Sequence, residues 1–134
     1  MAGHGDTGVA SLLSEDEKEM SVVISDPSRP DMPIIFVSDE FEKQTGYGPS
    51  DTIGYNCRFL QGPDTDPAAV YAIRRAIAEE REITVDLLNY TKDRTPFWNR
   101  LRIRPLRDYA GKLLYFVGAQ NPIKEDEVQP IPQS

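Results

Sequence analysis

The chain has 134 residues, 39% of them apolar and 28% charged, enough for one globular domain with a core of its own. A formal net charge of −7 argues against nonspecific nucleic-acid binding, which is driven by neutralising phosphates, and no nucleic-acid partner is expected. A single cysteine and a single histidine exclude an internal disulfide and a cysteine-rich zinc site and argue against a His-based catalytic triad; no apolar run approaches the ~18 residues of a membrane span, so neither metal nor membrane is expected and the address reads as cytoplasmic.

Residues 1–8 carry three glycines and little apolar content and read as mobile. Val9, Leu12, Leu13 and Met20 then fit one side of a short helix, and Ser14 with Glu17 three positions on forms a capping box. Residues 22–24 and 34–37 are β-branched runs around the loop Asp26-Pro27-Ser28-Arg29-Pro30-Asp31, and read as two strands. Ser38 or Asp39 caps a short helix that reaches Gln44 and ends at Gly46, and residues 49–56 read as a further short turn of helix. Asp66 followed by Pro67 opens a longer helix to about Glu79, with Val70, Ile73 and Ile77 as its buried stripe. Residues 83–87 alternate, 91–94 turn the chain, 97–104 alternate strictly and 113–120 form a last apolar strand. This order predicts an α+β fold, an antiparallel sheet with helices on one face. The expected organisation is a leader and short helical cap over 1–20, a core over 21–120 and a Pro-containing tail over 121–134.

Strand phase singles out three carboxamides. The odd side of the third and fourth strands carries Ile83, Val85, Leu87, Asn89, Phe97, Asn99, Leu101 and Ile103, and is the buried side. Asn89 and Asn99 therefore point inward, and Gln120 joins them if the fifth strand faces in with Phe116 and Gly118. An unpaired buried amide costs about 1–3 kcal/mol. One such group is ordinarily satisfied by a neighbour; three on one face predict a polar planar ligand whose edge alternates donors and acceptors. Across from them, Asn56, Cys57, Arg58 and Gln61 cluster at a short helix and Arg74 sits on the longer one. Arg58 and Arg74 can clamp a phosphate bidentately, although for each an ordinary surface ion pair is the competing reading. A lone cysteine is by default a small buried hydrophobe.

The run Gly54-Tyr55-Asn56-Cys57-Arg58-Phe59-Leu60-Gln61-Gly62-Pro63-Asp64 resembles the LOV (light-oxygen-voltage) photoreceptors, a flavin-binding branch of the PAS fold. The resemblance continues in Val23-Ile24-Ser25-Asp26-Pro27, Met32-Pro33-Ile34-Ile35-Phe36-Val37-Ser38-Asp39, Leu88-Asn89-Tyr90-Thr91-Lys92-Asp93, Pro96-Phe97-Trp98-Asn99 and Val117-Gly118-Ala119-Gln120, in family order from Ser21 to Gln120. With so little beyond that core, the chain looks like a short LOV protein of the bacterial kind without a fused effector. The resemblance implies a five-stranded antiparallel PAS sheet holding FMN against the helices. Cys57 matches the family's photoactive cysteine; Asn56 and Gln61 match contacts to the ribityl chain and ring; Arg58 and Arg74 match the phosphate clamp. Asn89 and Asn99 match the amides at the pyrimidine edge, and Gln120 the glutamine beside flavin N5. The family's chemistry implies a blue-light receptor in which Cys57 forms a reversible cysteinyl-flavin C4a adduct. N5 gains a proton, Gln120 turns its amide, and the bond breaks again in the dark, so the protein is not an enzyme. Leu101 stands where plant relatives usually have Phe, near the ring; Arg94 stands where the hairpin turn commonly has Gly; and the helix that follows the core in plant relatives has no counterpart in the tail.

The outer sheet face offers Leu88, Tyr90, Trp98, Tyr115 and Val117, too large an apolar patch to stay open. Either residues 9–20 fold over it or a second copy does, and a homodimer on this face is the favoured expectation, with an unidentified downstream protein partner. Arg100, Arg102 and Arg104 either ring that interface or form a charged ladder with Asp86 and the acidic N-terminal segment. A thiol–flavin redox enzyme and a PAS interaction module without chromophore are the competing functions.

Overall fold

A computed structural model describes residues 3–132. β-Branched and aromatic runs make the body of the sheet: β2 (Ser21–Ser25), β3 (Ile34–Ser38), β4 (Ile83–Tyr90), β5 (Pro96–Arg107) and β6 (Leu113–Gln120). Two short strands extend it, β1 (Gly3–Gly5) and β7 (Pro122–Ile123). The spatial order is β1-β3-β2-β6-β5-β4, with β7 on β5, and all pairings are antiparallel. The five long strands are the expected PAS sheet.

The helices between β3 and β4 pack on one face. Ser38 starts α1 (Asp39–Thr45): its Oγ accepts from Phe41 N at 3.4 Å and from Val22 N at 2.9 Å, tying the helix start to β2. Gly46, at φ 80°, ends it. After α2 (Pro49–Thr52) comes a 3-10 turn, Cys57–Leu60, capped by Asn56, whose Oδ1 accepts from Arg58 N at 3.0 Å. Asp66 caps α3 (Pro67–Ala78) through Ala68 N at 2.9 Å, with Pro67 in the first turn. Ala69 and Ala76 are its fully buried residues, whereas Val70, Ile73 and Ile77 are half-buried and face a cavity.

The outer face is where expectation and structure part. Residues 3–5, read as mobile, lie in the sheet as β1, with Gly3 opposite Ser38 and Gly5 opposite Phe36. The N-terminal segment covers the sheet itself, as the 3-10 turns Thr7–Leu12 and Glu17–Glu19. Val9 and Leu13 pack with Val22, Ile24, Ile35, Val117 and Ala119, while Leu12, expected on the same side, is exposed. The capping box forms, with Glu17 Oε1 accepting from Ser14 N at 2.8 Å and Ser14 Oγ accepting from Glu17 N at 3.2 Å. Residues 121–129 run on from β6: β7 lies in the sheet beside Trp98 and Asn99 of β5, then Arg100 Nη2 donates to Glu127 O at 3.0 Å and Gln129 N to Asp86 Oδ2 at 2.8 Å. The N-terminal segment thus covers the Tyr115 and Val117 part of the patch, as one of the two expected alternatives, while Leu88 and Trp98 remain half-buried. Tyr90 is buried by the loop after the 3-10 turn, its Oη accepting from Asp64 N at 3.0 Å.

The arginine row is the ladder rather than a free rim. Arg100 grips Asp86 with two bonds of 2.9 Å, Arg102 reaches Glu82 at 3.0 Å, and Arg104 holds Glu17 with bonds of 2.7 and 2.6 Å. Glu17 and Asp86 are buried by these contacts.

Candidate functional site

Between α3, the Cys57–Leu60 turn, the 26–32 loop and the inner sheet face lies a cavity of about 440 Å³, within the ~300–1,000 Å³ of small-molecule sites. Asn56, Cys57, Arg58, Gln61, Arg74, Asn89, Leu101 and Gln120 all line it. The sheet floor adds Val23, Leu87, Ile103 and Phe116, and α3 adds Val70, Ile73 and Ile77. Apolar walls with a few convergent polar groups suit a planar ligand with one polar edge.

Asn99 is the expected site residue that does not reach the wall. It is fully buried one position behind it, and its amide is spent: Nδ2 donates to Asn89 Oδ1 at 2.9 Å and to Gln120 Oε1 at 2.6 Å, while Oδ1 accepts from Asn121 N at 2.9 Å. The three carboxamides are therefore partly satisfied by one another. The shared donor also orients the pair in front of it. With both oxygens bound, Asn89 and Gln120 have amino groups left over, whose other contacts are only 3.3 Å approaches to Leu88 O and Gly118 O. Two under-used donors at the wall of an apolar cavity are complementary to an acceptor-bearing ring edge.

Cys57 opens the 3-10 turn opposite this wall. Burial pushes its thiol above the ordinary value, and the neighbouring Arg58 charge offsets that only in part, so sulfur is protonated at neutral pH. Arg58 leaves the 3-10 turn toward the cavity mouth, where its guanidinium pairs with Asp31 and holds that carboxyl below the usual range. Arg74, on α3, stands exposed at the same cavity. Arg58 is thus both clamp candidate and surface ion pair.

Three features were not legible in the sequence. Asp31 and Met32 take consecutive left-handed conformations, φ 63° and 46°, which place the Asp31 carboxylate against Arg58 and its carbonyl on Asn56 Nδ2 at 2.8 Å; nothing in Asp-Met announces that backbone. Arg29 joins the cavity rim from the same loop. Tyr90, assigned to the outer face by alternation, packs against Gly62, where a Cβ would sit 2.3 Å from the ring. That contact and the Asp64 bond fix the segment carrying Gln61 against the strand carrying Asn89, and a glycine after the motif glutamine was the available signal. At the hairpin tip, Arg94 adopts the left-handed conformation that glycine would take, φ 69°, with its guanidinium 4.9 Å above the Tyr90 ring.

Among the described residues no helix is long and apolar enough to cross a membrane, and no cluster of three or more His, Cys, Asp or Glu residues is placed to hold a metal.

The PAS domain family matches residues 19–125. Phototropin-2 of rice, Oryza sativa subsp. japonica, is 50% identical over 124 residues, 92% of this chain and 14% of that protein. A blue-light-activated histidine kinase of Rhizobium johnstonii is 46% identical over 129 residues, 87% of this chain and 37% of the kinase. The chain therefore spans well under half the length of these relatives. Among solved structures, a light-oxygen-voltage domain studied with a flavin analogue superposes with a TM-score of 0.81 at 45% identity, covering 90% of this chain and 87% of the other. The dark structure of the Aureochrome1 LOV photoreceptor superposes with a TM-score of 0.81 at 42% identity, covering 92% and 88%.

Proposed function

The chain belongs to the PAS family, in its light-oxygen-voltage branch, and from that premise we propose that it is a blue-light sensor that holds FMN in the cavity and answers light through a reversible covalent bond at Cys57. The observation that carries this reading is that one cysteine thiol and two amides with spare donors line the same cavity, the thiol from the helical side and the amides from the sheet.

Bound flavin would supply the light absorption and a ring carbon able to accept a thiol. Asn89, supported from behind by Asn99, would hold the pyrimidine edge; Asn56 and Gln61 would serve the ribityl chain and ring; Arg58 and Arg74 would take the phosphate; and Leu101 would pack on the ring. Gly118 carries no side chain on the same wall, so the ring can approach the backbone there. Cys57 would supply the thiol, both its sulfur and its proton, and would take both back in the dark, so nothing would be turned over and the protein would act as a sensor rather than an enzyme.

Gln120 turns this chemistry into a structural signal. Its oxygen is held by Asn99, so its amino group is the end available to an acceptor. Facing a donor there instead, Gln120 would have to present its oxygen. Turning the amide sets its Nε2 against Asn99 Nδ2, two donors in contact, and sacrifices a bond worth about 1 kcal/mol. The strain falls on β5 and β6, which carry Asn99 and Gln120 and whose outer faces hold the terminal segments. Release of those segments, in a homodimer acting on a downstream partner in the cytoplasm, is the output this reading assigns.

The test is Cys57→Ala. The variant should keep a yellow, bound flavin and lose dark-reverting bleaching in blue light. A bleach that still reverts in the dark would remove Cys57 from the role.

A further inference from the structure

We infer that Asp31 sets how strongly this site prefers a phosphorylated flavin over an unphosphorylated one, by competing with the phosphate for Arg58. The inference rests on the flavin reading of the cavity and adds a residue that the phosphate clamp does not include.

Asp31 and Arg58 both line the cavity and pair fork to fork, Nη1 to Oδ1 at 2.8 Å and Nη2 to Oδ2. Asn56 Nδ2 holds the Asp31 carbonyl, so the carboxylate is kept at the mouth by the same residues that flank Cys57. The pair is open to solvent, with side chains 55% and 60% exposed, and such pairs contribute little stability and exchange partners readily. The Nη1–Nη2 edge of Arg58 is closed to a phosphate as long as Asp31 holds it.

The charges at the mouth sharpen the competition. Arg29, Arg58 and Arg74 bring three positive charges to the cavity lining. Asp26, which holds Arg29 at 3.3 Å, and Asp31 remove two of them. The one remaining charge faces a phosphate monoester of about −1.5 to −2 at neutral pH. Asp31 thus opposes the phosphate twice, by occupying Arg58 and by repulsion. Riboflavin has no group at this position and does not meet Asp31.

The experiment titrates the flavin-stripped full chain with FMN and with riboflavin separately, following quenching of flavin fluorescence. Asp31→Asn removes the charge and keeps the size, and asparagine tolerates the left-handed backbone. It should tighten FMN by ~3–10-fold, the size of an exposed charge interaction with a near-dianion, and leave riboflavin within about twofold. The gain should shrink in high salt. Asp31→Gly, unstrained at this φ, must shift the ratio the same way. An unchanged FMN-to-riboflavin ratio in both variants, or equal losses for both flavins, overturns the inference and leaves the cavity reading standing. A wild-type chain that binds neither flavin overturns both.

Discussion

Replacing Glu17 by Gln should loosen the N-terminal segment from the outer sheet face. Glu17 is 4% exposed and accepts three bonds, two from Arg104 at 2.7 and 2.6 Å and one from Ser14 N at 2.8 Å. Glutamine keeps one acceptor oxygen and turns an amino group toward the guanidinium. Two charge-assisted bonds at ~1.5 kcal/mol each, the low end for charged groups, amount to ~3 kcal/mol. The Arg104 side chain retains 21% exposure, so water recovers part of this and the expected loss is about 2 kcal/mol. Arg104 holds the Glu17 carboxyl below its ordinary value, so the pair contributes above about pH 4.5 and is lost as pH falls through the lower folded value. The gap between wild type and Glu17→Gln should therefore be full at pH 7 and close on acidification below that point. Urea denaturation at several pH values reads the gap, and hydrogen exchange at residues 9–20 shows whether the segment opens first. Combining Glu17→Gln with Arg104→Met should cost less than the sum of the singles. A loss under ~0.5 kcal/mol at pH 7, typical of a surface pair, would refute the reasoning.

Two further perturbations probe the cavity. Asn99→Leu keeps the branched outline, though larger, but strands Asn89 Oδ1, Gln120 Oε1 and Asn121 N, and should cost ~2–3 kcal/mol in urea unfolding and weaken flavin binding; an unchanged midpoint would mean the amide cluster holds nothing in place. Gly62→Ala drives a methyl into the Tyr90 ring and should cost ~1–3 kcal/mol, with flavin affinity falling alongside; stability equal to wild type would show that the ring moves freely.

What was legible in the chain was what local chemistry decides. Asp66-Pro67 starts α3 because a capping oxygen and a proline without an N–H suit the same four residues. Strand alternation turned Asn89, Asn99 and Gln120 inward because pleating leaves no third option. It could not say which amide would stand behind the other two, since that depends on how β5 lies between β4 and β6. Gly3-His4-Gly5 was misread because its place in the sheet comes from closeness: Gly3 lies against Phe36, and a Cβ there would fall 2.4 Å from the ring. Where the chain's own ends meet the outer face depends on partners far apart in sequence, Glu17 with Arg104 and Asp86 with Gln129. Asp31 is the same case, a turn residue whose partner lies on another element.

The most direct test of the central claim is an absorption spectrum of the full chain, supplied with FMN, before and after one blue flash. A bound, structured flavin band should bleach and then recover completely in the dark, cycle after cycle. A flavin band that survives the flash unaltered, or bleaches without recovery, would contradict that claim.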